Sequence, residues 1–269
     1  MISSRDPGVP DGVDITRPSI ARVYDYLLGG KDNFAADRAV AEKLIASNLE
    51  PQRLALVTRD FLIRAVRFAA ERGVAQFLDL GSGLPTAPSV HEVAREIVPA
   101  ARVVYVDNDP VVVAHNRALL AIGDGLVTIQ ADVREPGAVL DSEETRECLD
   151  FDQPVALLLT GILHFIGDDD DPEGMIRRYR DALAPGSLLV LSTGTSDGAD
   201  PEVVSGTREA YQGYRTAFRL RSRAEIERFF DGFDLVAPGL VSMQDWRPTE
   251  AIGGEPLKGT NLSGVGVKR

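Results

Sequence analysis

The spacing of apolar and polar positions divides the chain into stretches of different kind. From Thr16 to Ala75 apolar residues recur at helical intervals. Ile20, Val23 and Leu27 follow Pro18, which suits a first helical turn, and Gly29-Gly30 ends the run. Asn33 is placed to cap a second helix carrying Val40, Leu44 and Ile45. Pro51 opens a third, in which Leu54, Val57, Phe61, Ala65 and Phe68 form one stripe, and Gly73 closes it. Roughly 60 residues of helix therefore precede the first strand, more than a sheet flanked by helices needs for its core. Such an extension is expected to pack on the sheet or to cover the mouth of its pocket.

From Gln76 short apolar runs alternate with amphipathic segments, which predicts a parallel sheet with helices on its faces. Strands are expected at Phe77–Leu80, Arg102–Asp107, Val127–Ala131, Val155–Thr160 and Leu188–Thr193. The intervening helices carry Val90, Val93, Ala94 and Ile97, then Val113, Leu119 and Leu120 from Pro110 on, and later span Pro172–Leu183. The acidic stretch Arg134–Asp152 reads as a short helix and loop. After a loop at Gly194–Pro201, helical segments are expected around Glu202–Phe218 and Arg223–Phe230. Two closing strands follow, Phe233–Val236 continuing toward Val241 and Leu262–Val267, joined by a loop with Trp246, Pro248, Gly253 and Gly254. That pattern predicts a final antiparallel pair at the sheet edge. No linker divides the chain, so residues 16–269 are expected to form one domain: a helical extension or lid over 16–75 and an α/β core over 76–269, with 1–15 as a flexible leader.

Composition narrows the function. A hydrophobic fraction of 44% is enough for a sizeable core. The net charge of -12 makes the average surface repel phosphate backbones and anionic membranes, and no dense basic patch offsets it, so neither nucleic acid nor membrane is an expected partner. Asp6, Asp11 and Asp14 stand where a signal peptide would carry a basic end, and the single cysteine, Cys148, rules out an internal disulfide. Together these point to a cytoplasmic protein. The most apolar segment, Val155 to Ile166, is too short to cross a bilayer and contains His164.

The chemistry is expected where the predicted strands end. In open α/β sheets the carboxyl ends of the strands line one crevice. Those ends here are Asp79 with Gly81 and Gly83, Asp107 with Asn108, Asp132, and Thr160 with Gly161. The glycines permit backbone angles closed to other residues and let a ligand touch the main chain. Asp107, some 20 residues further on, stands where ribose hydroxyls are held. A dinucleotide would want Gly-x-Gly-x-x-Gly, but the third glycine is replaced by Thr86 after Pro85. S-adenosylmethionine carries a sulfonium cation and no phosphate, and three aspartates around one crevice suit it better.

The series FLDLGSGLP, VVYVDNDP, IQAD and PVALLLTGILHF resembles the successive motifs of class I S-adenosylmethionine-dependent methyltransferases. PSIARVYDYLLGGKDNFAADR and RAVRFAAERGVAQFLDLGSGLPT are similar to a bacterial methyltransferase family catalogued as a domain of unknown function. The resemblance runs from about Thr16 to Val267. It implies a Rossmann-like, doubly wound, mostly parallel seven-stranded sheet with an antiparallel edge strand and a helical N-terminal extension. It places the backbone of Gly81, Ser82 and Gly83 against the methionine portion and ribose, Asp79 toward the amino group, Asp107 on the ribose hydroxyls and Asn108 beside the adenine. Asp132 and the Val133 backbone would take the adenine edge, and Thr160 and Gly161 would face the methyl group and acceptor. Tyr24, Asn33 and Arg38 become candidates for closing the pocket.

His164 either takes a proton from the acceptor or is a structural histidine. Trp246 either lines the pocket or anchors its loop. The run Asp168 to Asp171 precedes Pro172, where carboxylates are explained by a helix N-terminus, and the histidines lack ligand spacing, so no metal is expected. Strand four lacks the Asn/Asp-Pro-Pro-aromatic signature of nucleic-acid amine methylation, which favours a small-molecule acceptor. The alternatives are a silent module binding S-adenosylmethionine or S-adenosylhomocysteine, and an NAD-dependent oxidoreductase.

Overall fold

The computed structural model describes residues 13–46, 50–120, 123–211, 218–249, 257 and 261–269. Most of the expected leader, part of the Glu202–Phe218 segment, and Gly253 and Gly254 lie outside the described residues.

Helices α1 (Ile20–Leu27), α2 (Ala35–Ala46) and α3 (Pro51–Glu71) precede strand β1 (Gln76–Leu80). Then come α4 (Val90–Arg95), β2 (Arg102–Asp107), α5 (Pro110–Leu120) and β3 (Leu126–Gln130). The acidic stretch forms two short helices, α6 (Pro136–Leu140) and α7 (Glu143–Cys148), before β4 (Ala156–Thr160). After α8 (Pro172–Ala182) and β5 (Leu188–Gly194), the chain closes through α9 (Pro201–Ala210), α10 (Arg223–Arg228), β6 (Phe233–Leu235) and β7 (Asn261–Lys268).

One seven-stranded sheet has the order β3-β2-β1-β4-β5-β7-β6. Strands β1 to β5 pair in parallel, and β7 runs antiparallel to both β5 and β6. The last two strands form the expected antiparallel pair, with the final strand inserted between β5 and the short β6 at the edge. The central strands read as continuous apolar runs because both faces are covered. Leu78, Leu80, Leu157 and Leu159 face α6, α7, α8 and α10, whereas Phe77, Ala156, Leu158 and Val190 face α3 and α4.

Helix α3 keeps its predicted stripe: Val57, Phe61, Ala65 and Phe68 are buried against the sheet. Helices α1 and α2 pack on each other, on Ala55 of α3 and on Ala210 of α9. The cap expected of Asn33 is made by Asp37, whose Oδ2 accepts from the Phe34 N–H at 2.8 Å and whose Oδ1 accepts from the Ser19 N–H at 2.8 Å. Among the described residues no helix is long and apolar enough to cross a membrane.

Candidate functional site

The turn after β1 is held from beneath by β2. The Gly81 and Ser82 N–H groups donate to the Val106 carbonyl at 2.8 and 3.0 Å, and the Gly83 N–H donates to Asp107 Oδ2 at 2.9 Å. Both glycines have left-handed φ, 72° and 66°. A Cβ on Gly81 would come within 2.7 Å of Ile162 Cγ2, whereas one on Gly83 would meet nothing within 4 Å. The first glycine therefore serves packing, and the second leaves open space beside the turn. Asp107 Oδ1 accepts from the Asp109 N–H at 2.9 Å, so this carboxylate also organises the turn after its own strand.

Asp79 and Asp107 are buried, and both carboxyls are shifted upward. Burial pushes Asp79 to about 7; the Arg59 guanidinium pulls the other way and the Asp107 charge adds to the rise. Burial pushes Asp107 to about 6 against the lowering effect of the Asp109 and Gly83 N–H groups. Asp132 is opposite in character. Arg134 grips it, with Nη2 at 2.6 Å from Oδ2 and Nε at 3.0 Å from Oδ1, which holds its carboxyl below the usual range.

These groups converge on a cavity of about 660 Å³ across the carboxyl edge of the sheet. Asp79, Gly81, Ser82, Gly83, Asp107, Asn108, Asp132, Val133, Thr160 and Gly161 all line it, as do Tyr24 and His164. Helices α1 and α3 roof it. Tyr24 Oη donates to the Ala55 carbonyl at 2.9 Å, joining the two helices, and a Cβ on Gly161 would lie 3.5 Å from Thr58 of α3.

Three predicted residues lie outside the cavity wall. Asn33 Nδ2 donates to Asp25 Oδ2 at 2.8 Å and to the Gly30 carbonyl at 3.1 Å, and Arg38 donates to the Asn33 carbonyl at 2.8 Å. Both hold the loop after α1 in shape. Trp246 is fully buried, edge-on to Phe61 at 5.4 Å and to Phe68 at 5.7 Å. An indole inserted between the rings of α3 removes more apolar surface from water than one at a cavity mouth, so it anchors its loop in the core.

His164 sits in a one-turn helix, Leu163–Phe165, against the rings of Phe165 and Phe218. Burial, reinforced by the Arg221 charge, pushes its imidazole down to about 4, so it is neutral near pH 7. The acidic run beyond it is engaged elsewhere: Asp168 pairs with Arg219 and Arg221, Asp170 with Arg134, and Asp171 caps α8 by accepting from the Gly174 N–H. Among the described residues no group of three ligating side chains could hold a metal.

Further wall residues carried no motif. Arg59 reaches from α3 to the Thr86 and Pro88 carbonyls, and its positive charge partly offsets the effect of burial on Asp79. Arg22, buried on α1, lies 3.1 Å from Asp37 and 3.7 Å from Asp109, which ties the roof to the turn beyond β2. Behind the wall, Asn116 Nδ2 donates to Ser82 Oγ at 3.2 Å and steadies the glycine turn. A polar residue on a helix looks like a solvated one in sequence, so only its helical position could have marked Arg59.

Two buried carboxylates facing a cavity make negative charge costly there, so the site suits a ligand that brings a cation and hydrogen-bond donors. The ammonium and the ribose hydroxyls of S-adenosylmethionine supply these; a pyrophosphate would add negative charge instead. The residues present therefore fit S-adenosylmethionine, and sheet order, glycine turn and strand-end aspartates together define a class I methyltransferase. The family model described as S-adenosyl methyltransferase matches residues 7–269, and the chain belongs to that family. It is accordingly a methyltransferase. Among solved structures it is similar to a candidate methyltransferase from Thermobifida fusca, with 42% identity, 98% of this chain and 100% of that chain covered, and a TM-score of 0.91. A DUF574 family protein from Streptomyces avermitilis gives 38%, 95%, 99% and 0.89 for the same quantities. The N-methyltransferase NodS from Bradyrhizobium japonicum, in complex with S-adenosylhomocysteine, shares 13% identity over 92% of this chain and 98% of its own at a TM-score of 0.52, a likeness of fold. No curated protein matches the chain.

Proposed function

We propose that this chain binds S-adenosylmethionine across the carboxyl edge of β1 to β4 and transfers its methyl group to a small-molecule acceptor. The observation that carries the reading is the pair of buried carboxylates, Asp79 and Asp107, facing a cavity roofed by the protein's own helices. Asp79 would hold the methionine ammonium, Asp107 the ribose hydroxyls, and the Gly81-Ser82-Gly83 backbone would lie against the ligand where Gly83 leaves room. Asn108 and Val133 would flank the adenine, with Asp132 at its amine. When bound, the cofactor supplies a methyl group on a sulfonium that is already a good leaving group. The chain's own task is then to align the acceptor and exclude water. Thr160 and Gly161 end β4 facing that space, and neutral His164 can accept a proton from the acceptor there. A roof built from α1 and α3 favours an enclosed metabolite over a polymer.

Isothermal titration with S-adenosylhomocysteine and NAD in parallel tests the reading. Binding of the first and not of the second is expected; NAD binding alone would overturn it. Release of S-adenosylhomocysteine from S-adenosylmethionine in the presence of small acceptors then separates an enzyme from a silent binding module.

A further inference from the structure

The cavity continues past the strand-end aspartates to a wall of different chemistry. Phe165 follows β4, Tyr211 follows α9, and Phe218 completes a cluster of rings that all line the cavity. Tyr211 and Phe218 are nearly parallel, 13° between planes and 5.6 Å between centroids. Phe165 meets Tyr211 edge-on at 5.0 Å, and the His164 ring lies 4.3 Å from Phe165. Their remaining ring surface forms an apolar wall, whose natural complement is another planar π-system.

A second observation is independent of the rings. Ser192 is fully buried in β5, lines the same cavity, and its hydroxyl has no hydrogen-bond partner. Buried hydroxyls are almost always partnered, so an orphan in a cavity wall is a place where a ligand can supply the partner. Strand alternation puts Ser192 and Thr193 on opposite faces of β5. Thr193 Oγ1 lies 3.5 Å from His164 Nδ1, so a second hydroxyl stands beside the histidine that borders the ring wall, while Ser192 opens on the cavity from the other face of the strand.

From these we infer that the acceptor is a planar aromatic compound carrying a hydroxyl or amino group, its ring seated on Phe165, Tyr211 and Phe218 and its polar substituent met by Ser192 or His164. This rests on the methyltransferase reading for the word acceptor; the ring site itself does not. Neutral His164 accepts a hydrogen bond from such a substituent, and the Ser192 hydroxyl can donate or accept.

The test uses 2-naphthol and its saturated counterpart decahydro-2-naphthol, titrated by isothermal calorimetry into the full-length protein with and without S-adenosylhomocysteine. At least tenfold tighter binding of 2-naphthol is expected in one or both states, falling to less than threefold preference in Phe218→Leu, which keeps apolar bulk and removes the ring. Ser192→Ala should weaken 2-naphthol while leaving naphthalene unchanged. Equal affinity for the two naphthols in both states, absence of binding by either, or an undiminished preference in Phe218→Leu would overturn the inference. The wild-type comparison decides it even if a variant does not fold. Failure of S-adenosylhomocysteine to bind would instead sink the cofactor reading, and the titrations without it would still judge the ring site.

Discussion

Replacing Asp79 with Asn separates the stability of the fold from the needs of its site. Burial holds this carboxyl at about 7 against an ordinary value of 3.8, so the folded protein takes up the proton far more readily than the unfolded chain. Below pH about 4 both states are protonated and Asp79 costs nothing. As pH rises to about 7 the unfolded chain ionises first, and folding loses stability over that window, by about 4 kcal/mol in all. Roughly 3 kcal/mol of this loss falls between pH 5 and pH 8. Asp79→Asn lacks the ionisation, although an unpartnered buried amide costs about 1–3 kcal/mol at any pH. Its stability relative to wild type should therefore improve from pH 5 to pH 8, by roughly 5–10 °C in Tm for a chain of this size. Differential scanning fluorimetry without ligand reads the shift, and titration with S-adenosylhomocysteine should show binding weakened on the order of tenfold or more at pH 8. A Tm difference that stays flat with pH, or falls, would refute the account of a carboxylate kept under desolvation for a cationic ligand.

Wild-type affinity for S-adenosylhomocysteine should rise with pH on the order of 30-fold between pH 5.5 and pH 8, as Asp79 ionises; a flat profile by calorimetry would count against its role. Gly83→Ala should cost only about 1–2 kcal/mol of stability, the strain of its left-handed φ, yet block the ligand. Gly81→Ala adds a clash with Ile162 and should be the less stable of the two by chemical denaturation. Trp246→Ala should destabilise the protein by about 3–5 kcal/mol through loss of its packing on Phe61 and Phe68. At a temperature where that variant is folded, its S-adenosylhomocysteine affinity should match wild type. By NMR, the His164 ring should titrate near 4, and a midpoint near 6.5 would show it to be solvated.

The alternation of apolar runs with amphipathic segments was sufficient to order the chain into a parallel sheet flanked by helices, because strands buried on both faces must be apolar throughout. Glycines and aspartates directly after those runs could be assigned to one crevice, since all parallel strands end on the same side. The stripe on α3 was legible for the same reason of period. Asn33 and Trp246 were not: a polar residue before a helix and an aromatic residue in a loop are each compatible with several surroundings, and only packing chose a loop brace for one and the core for the other. Arg59, Ser192 and the ring wall reach one cavity from segments far apart in sequence, which leaves no periodic trace. The raised carboxyls are likewise a tertiary property. An aspartate ionises normally in any unfolded peptide, and only the closure of α3 and β2 around Asp79 makes its charge costly enough to call for a cation.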